Sequence, residues 1–301
     1  MTALDWTGLT LAIVGGDARE QEICRQAAAT GARVRAYGFP LPADGDVGAA
    51  ELVADERAAM NGARYALFPI PLGYDEDHLY APHAPAPIVV DEELFRPLEP
   101  GAHAFLGRTT AKLDACAAAA GVTLHEYDPD RTLMLERGPA IAEGTIGLAI
   151  QNTEVTINHS RALVVGYGNI GALIARRLTA LGAEVFVAAR NPEQRASAYA
   201  NGATPIPLEQ IPELAPTIPM IFNTAAAPLV NRAVLELLPR RSFIVDITPP
   251  PAYVDFDAAK ELGHVAIWGR GLGNRAPVTV GLSQWRGIRA RIEALETERA
   301  G

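Results

Sequence analysis

The sequence has few cysteines: only Cys24 and Cys116 occur among its 301 residues, each in an alanine-rich stretch of helical character. A disulfide framework needs several cysteines, so the class of small disulfide-stabilised secreted domains is excluded. We expect both thiols to be buried structural groups.

Long apolar runs are missing as well, although hydrophobic residues make up 49% of the chain. No stretch approaches the ~20 apolar residues that a membrane-spanning helix needs. The first ten residues, MTALDWTGLT, have neither a basic region nor a long apolar one, so no signal peptide is predicted. We expect a cytoplasmic protein that does not enter a membrane.

Basic clusters and metal-ligand patterns are absent too. The formal net charge is −9 and lysines and arginines are dispersed, which argues against a nucleic-acid surface. None of the six histidines has the i, i+4 helical spacing beside an acid that marks a zinc site. We predict no bound metal.

Strand and helix patterns alternate through the chain, whose length favours two domains. LTLAIVGG and ARVRAYGF are apolar runs of strand length, APIVVDEELF is a further predicted strand, and HAFLGRTTAKLDACAAAAG predicts a strand followed by a helix. Such alternation is typical of an α/β fold with two Rossmann-like, doubly wound domains.

The predicted domain boundaries follow from a helix in the middle of the chain. Residues 139–160 begin with Pro139, which suits a first helical turn, and we predict that they form a connecting helix beside a cleft. The division is then an N-terminal substrate or partner domain at 1–138, the connecting helix at 139–160, a nucleotide-binding domain at 161–276, and a helix at 277–301 that packs on the N-terminal domain.

The segment VVGYGNIGALIARRL, residues 164–178, carries a dinucleotide fingerprint. Gly166 permits a tight turn, Gly168 lets the backbone approach a pyrophosphate, and Gly171 allows close packing of helix on strand. Because the motif follows an apolar strand and opens a helix, we predict dinucleotide binding at the start of that helix. The intervening residues Tyr167, Asn169 and Ile170 belong to the predicted site.

The next strand ends VFVAARN, without the acidic residue that usually binds the ribose hydroxyls of NAD. Arg190, with Asn191 beside it, is suited to pair with a 2′-phosphate, so NADP is the favoured cofactor. The alternative is that Arg190 is a solvated surface charge.

A later strand ends FNTAAAP, residues 222–228. Asn223, Thr224 and Ala225 are candidate cofactor-binding residues, since the side chains of the first two can hydrogen-bond the nicotinamide ribose or carboxamide. A plain turn at the end of the strand is the alternative.

The first strand–glycine–helix opening, LAIVGGDAREQEICRQ at residues 11–26, lacks the fingerprint. Asp17 is positioned to cap the following helix. Arg19 is less easily explained, because a cation at a helix N-terminus is electrostatically unfavourable. We therefore predict that it binds a substrate carboxylate.

Three segments in order, IVGGDARE, EGTIGLAIQNTEVTI running into ALVVGYGNIG, and GLGNRAPVTVG, resemble the A subunit of dipicolinate synthase over nearly the whole chain. The resemblance implies NADP-dependent oxidation of dihydrodipicolinate to dipicolinate in the mother cell of a sporulating bacterium. It also implies a partner, a flavoprotein-like B subunit, and we expect a homo-oligomer. The positions that match the family motifs are Gly16, Asp17, Arg19, Glu143, Gly144, Thr145, Ala276 and Pro277.

Oxidation of a dihydropyridine gains aromaticity, so such an enzyme mainly aligns the ring and removes one proton. The two substrate carboxylates need cationic partners, for which Arg19, Arg270 and Arg275 are candidates. Glu143, with Thr145, is a candidate proton acceptor or water-orienting residue; equally, Glu143 suits the dipole at a helix start.

Two other functions stay open. A 2-hydroxyacid dehydrogenase has a similar two-domain architecture, but DITPPP has no arginine and RAPVTVG no histidine where that class needs them. A non-catalytic NADP-binding regulator would bind cofactor without turnover.

Overall fold

The computed structural model describes residues 4–41, 45–70 and 75–301. The chain forms two compact units. Unit 1 comprises residues 1–137 and 276–301, and unit 2 comprises residues 138–275. The division therefore falls inside one long helix, Arg131–Asn152.

Strands and helices alternate in unit 1. Its strands are β1 (Thr10–Val14), β2 (Arg33–Tyr37), β3 (Glu51–Leu52), β4 (Tyr65–Leu67), β5 (His103–Leu106) and β6 (Thr123–Glu126). The helices up to and including the shared one are α1 (Ala18–Ala28), α2 (Glu56–Met60), α3 (Ala111–Ala119) and α4 (Arg131–Asn152).

Unit 2 repeats the alternation. Its strands are β7 (Arg161–Val165), β8 (Glu184–Ala188), β9 (Thr204–Ile206), β10 (Met220–Asn223), β11 (Phe243–Asp246) and β12 (Val265–Trp268). The helices are α5 (Asn169–Ala180), α6 (Pro192–Ala200), α7 (Ile211–Leu214), α8 (Arg232–Leu235) and α9 (Phe256–Glu261); α10 (Pro277–Ala300) then returns to unit 1.

The two sheets have the same strand order. Among the described residues the first runs β3-β2-β1-β4-β5-β6 and the second β12-β11-β10-β7-β8-β9, with parallel pairing throughout. Each is the 3-2-1-4-5-6 order of a doubly wound dinucleotide-binding fold, which confirms the predicted fold class. In such a sheet, ligands bind beyond the carboxyl ends of the strands where the order reverses, here β1/β4 and β7/β10.

Alternating residues of each central strand enter different cores. Leu11 and Ile13 of β1 pack in one apolar cluster, whereas Ala12 and Val14 pack in another. The residues of β7 divide in the same way between two further clusters. Because successive side chains of a strand point to opposite faces, a nearly continuous apolar run is what a sheet covered on both faces requires.

Helix α10 packs on α1 within unit 1. The rings of Trp6 and Trp285 have centroids 5.8 Å apart, and a Cβ added at Gly281 would lie 2.5 Å from the carbonyl oxygen of Arg19. The helices therefore approach closely because position 281 has no side chain.

Two predicted elements differ from the structure. Residues 86–95 form no strand, and their pairing in the described part of the chain is one isolated antiparallel bridge, His78–Val89. Ile88, Val90 and Phe95 are buried with residues of β1 in one apolar cluster, and Pro87, the one proline of the segment, has no N–H to donate to a ladder. The strand prediction for this segment is wrong, because its apolar residues are buried without pairing as a strand.

The predicted connecting helix also has different bounds. Helix α4 begins at Arg131, holds Pro139 in its interior and ends at Asn152. Asp130 Oδ1 accepts the backbone N–H of Thr132 at 2.8 Å, so this acid marks the true start. Pro139 therefore does not mark the start of the helix, and tertiary packing holds the helix intact around it.

Both cysteines are buried and unpaired, as predicted. Burial raises the pKa of the Cys24 thiol to about 12, so this thiol is not a reactive nucleophile.

Candidate functional site

The fingerprint glycines shape a tight turn between β7 and α5, here called the β7–α5 turn (residues 166–168). Gly166 has φ +93°, and a Cβ there would lie 2.6 Å from Thr224 Oγ1. A Cβ at Gly171 would overlap the carbonyl oxygen of Gly166 and lie 2.9 Å from Thr224 Oγ1. Both positions need glycine because helix, turn and the end of β10 meet without space for a side chain.

Gly168 differs from these two glycines. It is exposed, its φ is −82°, and a Cβ there would meet nothing within 4 Å in the described parts of the chain. It is the N-cap of α5, and as a glycine it offers no side chain to cap the helix. The first amides of α5 are therefore open at the positive end of a helix dipole, as pyrophosphate binding requires.

The other residues of this motif surround the turn. Asn169 is exposed at the start of α5, and Ile170 packs towards Gly138 of α4. Tyr167 is buried in unit 2's core, and its hydroxyl has no hydrogen-bond partner among the residues that the structure describes. The open amides of α5 and the space at Gly168 thus fit a dinucleotide phosphate, and Tyr167 packs in the core of unit 2.

The last residue of β10 and the two residues after it have different roles. Thr224 lies against the turn, and its hydroxyl donates to the carbonyl oxygen of Val165 at 3.0 Å. Ala225 is half-buried beside Gly166. Asn223 is fully buried, and its side-chain amide donates to Asp246 Oδ1 at 3.1 Å. The expectation that Asn223 hydrogen-bonds the cofactor is not supported, because its amide is already bonded inside unit 2.

Asp246, at the end of β11, is a functional candidate that was not predicted from the sequence. It is fully buried, and its carboxylate accepts N–H bonds from Thr248, Tyr253 and Val254 at 2.7–3.0 Å, besides the Thr248 hydroxyl at 2.7 Å. One carboxylate thus holds the proline-rich loop after β11. Its signal in the sequence was an acid closing an apolar strand, DITPPP.

At the end of β8, Arg190 and Asn191 are both exposed. Asn191 Oδ1 caps α6 by accepting the N–H of Glu193 at 2.9 Å. Arg195, which was not predicted, donates from Nη1 to the carbonyl oxygens of Ala189 at 2.7 Å and Arg190 at 2.9 Å. A second guanidinium is thereby fixed where the predicted 2′-phosphate would bind.

Glu143 of α4 and Arg275, which follows β12, meet in unit 2. Arg275 Nη2 donates to Glu143 Oε2 at 2.6 Å, with both side chains about half exposed. Thr145 is different: it is fully buried, and its hydroxyl donates to the carbonyl oxygen of Ile141 at 2.8 Å. The structure gives no support to Thr145 as a proton-transfer group, because its proton is bonded to its own helix. Arg270 stacks over the ring of Trp268, 4.9 Å from its centroid.

In unit 1, the corresponding connection between β1 and α1 is here called the β1–α1 turn (residues 15–17). Asp17 caps α1, since its Oδ1 accepts the N–H of Arg19 at 3.1 Å; this confirms the predicted cap. The Arg19 guanidinium donates to both Asp17 oxygens at 2.8 Å and to the carbonyl oxygen of Ile70 at 3.3 Å. Ile70 follows β4, so Arg19 lies at the point where strand order reverses.

Arg19 is only 4% exposed. Burial opposes its charge, yet the hydrogen bonds with Asp17 hold its pKa above the ordinary range. Its Nη1 makes no hydrogen bond within the described residues. Arg19 therefore remains charged and keeps donor capacity beyond the Asp17 pair.

Glu20, the next residue, was also not predicted as a site residue. It completes a capping box, because its Oε2 accepts the N–H of Asp17 at 2.7 Å. Burial raises the pKa of this carboxyl to about 7, with Arg19 opposing the shift and Asp17 adding to it. The capping-box spacing D-x-x-E was present in the sequence, but the burial was not.

Two family models match this chain, one within unit 1 and the other within unit 2. The family model for the N-terminal domain of the dipicolinate synthase A subunit matches residues 10–127, and that for the NAD-binding domain of D-isomer specific 2-hydroxyacid dehydrogenases matches residues 141–253. The dipicolinate synthase A subunit of Bacillus subtilis is 31% identical over 277 residues, which are 91% of this chain and 93% of that protein. The chain belongs to the family of dipicolinate synthase A subunits.

Solved structures agree with membership of this family. The dipicolinate synthase A subunit from Bacillus halodurans superposes with a TM-score of 0.85 at 27% identity, covering 96% of this chain and 99% of that one. Its counterpart from Bacillus subtilis gives 0.83 at 27% identity, covering 97% and 98%. A transhydrogenase from Sinorhizobium meliloti, with a TM-score of 0.72 over 95% and 94% of the chains, is 14% identical and shows the fold alone.

The family and the NAD-binding match identify this member of the dipicolinate synthase family as a nicotinamide-dependent dehydrogenase. The β7–α5 turn has the cradle that such a cofactor needs. Within the described ranges, no helix has the length and apolar character to cross a membrane, and no group of three or more metal-ligating side chains occurs.

Proposed function

We propose that this dehydrogenase oxidises dihydrodipicolinate to dipicolinate with NADP, unit 2 binding the cofactor and unit 1 binding one carboxylate of the substrate. The observation that carries the proposal is the Asp17–Arg19 pair of the β1–α1 turn, within the segment that matches the N-terminal domain of the dipicolinate synthase family. A dicarboxylate needs fixed cationic donors, and Arg19 is a buried one that retains donor capacity.

Unit 2 contributes the cofactor site. The open amides of α5 would bind the pyrophosphate, with Gly168 leaving room for it. Arg190, Asn191 and the fixed Arg195 would bind the 2′-phosphate of NADP, where an NAD enzyme has an acid. When bound, the nicotinamide supplies hydride acceptance, so the protein needs only to bind and orient the ring and remove one proton.

Arg275, which is paired with Glu143 of α4, follows β12, the last strand of the half-sheet that would take the nicotinamide mononucleotide in this fold. Arg275 is therefore a candidate for the second carboxylate, oriented by Glu143. Glu143 stays a candidate proton acceptor, since half of its side chain is accessible.

A 2-hydroxyacid dehydrogenase would use a histidine at the catalytic edge of the sheet. All residues of unit 2 are described, and its two histidines precede strands: His159 lies before β7 and His264 before β12. In a parallel sheet these are the amino ends, opposite the β7–α5 turn, so unit 2 offers no histidine for that chemistry.

The test supplies the substrate directly. Dihydrodipicolinate would be generated in situ by a dihydrodipicolinate synthase and mixed with the protein and NADP⁺, with and without a flavoprotein-like B subunit. We expect NADPH and the aromatic product to appear together in equal amounts, and no turnover in the matched Gly168→Val variant. Absence of NADPH in both arms would contradict the proposed function, and turnover only with the B subunit would identify it as a required partner.

A further inference from the structure

Glu20, in the first turn of α1, has a carboxyl group beside the β1–α1 turn to which the proposed function gives no role. It is 2% exposed. Its Oε2 accepts the N–H of Asp17, whereas its Oε1, equally buried, has no hydrogen-bond partner in the described part of the chain. A buried carboxylate oxygen without a donor is costly, and the cost is removed if that oxygen carries a proton or meets a ligand.

The turn is shaped around this carboxyl. A Cβ at Gly16 would overlap the Glu20 carboxylate, and Gly16 has φ +106°. The carboxyl therefore lies directly against the turn, at the amino end of α1, instead of pointing along the helix surface.

The charges around Glu20 make its ionisation important. Among the described residues, the titratable groups that act on its carboxyl are Asp17, the N-cap of α1, Arg19 in that helix, Tyr80 after β4 and Tyr127 after β6. Both tyrosines are neutral at physiological pH, because burial raises their pKa further. Arg19 is paired with Asp17, so ionised Glu20 gives the turn a net negative charge, whereas protonated Glu20 leaves it neutral.

We propose that Glu20 takes up a proton when a dicarboxylate binds at the β1–α1 turn, which couples ligand affinity to the protonation of this single carboxyl. The inference rests on the proposed function, because it assigns the dicarboxylate to this turn. Protonation removes the like charge that an incoming carboxylate would meet, and it gives Oε1 a hydrogen to donate.

The pH dependence follows from linkage. Below a pH of about 7, where Glu20 is already protonated, binding takes up little proton. Above it, each bound ligand takes up close to one proton, and affinity falls about tenfold per pH unit until the ionised form also binds.

The experiment measures binding of pyridine-2,6-dicarboxylate to the full chain by titration calorimetry between about pH 6.5 and 8.5, in pairs of buffers with different ionisation enthalpies. The wild-type protein should take up about one proton per ligand at the alkaline end. In Glu20→Gln, which keeps an acceptor for the Asp17 N–H and places an amide at the Oε1 position, uptake should vanish and affinity should be constant across this range. Glu22→Gln is the matched control, since Glu22 is a buried carboxylate of the same helix paired with Arg25.

A second measurement does not use a ligand. The folded-state pKa of Glu20 lies above its ordinary value, so protonation of Glu20 adds to the stability of the folded state below pH ~4.5, and this contribution is lost as pH rises to about 7. Over that interval the equilibrium constant for folding should fall roughly 300-fold more in the wild type than in Glu20→Gln.

The outcomes separate the two proposals. Binding without proton uptake, or uptake that persists in Glu20→Gln, would overturn the role of Glu20 and leave the proposed function standing. Coupled binding in a protein that reduces no NADP⁺ would overturn the proposed function and support Glu20. Absence of binding at every pH would overturn both.

Discussion

The β1–α1 and β7–α5 turns occupy equivalent places in two sheets of identical strand order, yet they present opposite surfaces. In unit 2 the N-cap Gly168 has no side chain to cap α5, and a Cβ added there would meet none of the described atoms within 4 Å. In unit 1 the same place is filled by the Asp17–Arg19 pair and the Glu20 carboxyl. The fold supplies an anion-attracting helix end twice, and the side chains decide what each can bind.

The same strand–turn–helix arrangement can bind two kinds of anion when the side chains at the turn differ. A pyrophosphate needs bare amides and close backbone approach, which glycine allows. A smaller carboxylate needs one directed donor, which an arginine provides when a neighbouring acid fixes its orientation. Asp17 both caps α1 and holds Arg19, so the unfavourable cation at the helix start is compensated.

The largest effect is expected from a substitution in the β7–α5 turn, and it is a loss of NADP affinity. Gly168→Val should fold normally, because the position is open, but its side chain would displace the pyrophosphate from the α5 amides. Losing two charge-assisted hydrogen bonds of ~1.5–3 kcal/mol each weakens NADP binding by roughly 10²–10⁴-fold. Fluorescence titration with NADPH measures the loss, and circular dichroism checks the fold.

Gly171→Ala is the contrasting variant. Its Cβ would overlap the Gly166 carbonyl oxygen, so we expect loss of stability in place of selective loss of binding. A Gly168→Val protein that binds NADPH normally would show that the β7–α5 turn has no role in binding the phosphates.

The next effect concerns the β1–α1 turn. Arg19→Ala should lower kcat/KM for the dicarboxylate by ~2–3 kcal/mol, roughly thirty- to a hundredfold, with the Kd for NADP unchanged. Steady-state kinetics with in situ substrate gives the first quantity, and NADPH titration gives the second.

That substitution leaves Asp17 buried without its counter-charge, which destabilises a protein by itself. Asp17→Asn combined with Arg19→Gln removes both charges and keeps a capping residue, so it should show the same kinetic loss with smaller loss of stability. Normal turnover in either variant, or loss of NADP affinity, would contradict Arg19 as the substrate anchor.

Much of this could be predicted from the sequence. The period of the apolar runs and the glycine spacing predicted two doubly wound units and the β7–α5 turn, because strand alternation and backbone conformation are local properties. Asp17 was predicted as a cap for the same reason. The site predictions that the structure does not support depend on tertiary contacts. Asn223 was predicted to bind the cofactor, but in the fold its side-chain amide donates to Asp246.

The burial of individual side chains also could not be predicted from the sequence. Glu20 belongs to an ordinary capping box in the sequence, and only its enclosure by the turn makes its carboxyl unusual. Arg195 lies five residues beyond Arg190, and the turn of α6 brings its guanidinium back to the end of β8. Neither position could be read from local patterns.

The smallest expected effect sharpens the cofactor side of the comparison. Arg190→Ala should reduce the preference for NADP over NAD by about tenfold, the low end of a charge-assisted contact, because Arg190 is exposed and water screens its charge. Arg195 should maintain part of the preference, since its guanidinium is fixed at the same strand end. The measurement is the ratio of Kd values for NADPH and NADH in each protein. Arg176→Ala, which removes an exposed arginine from α5, is the control and should leave the ratio unchanged. Equal affinity for the two cofactors in the unmutated protein would contradict the assignment of the 2′-phosphate to this strand end.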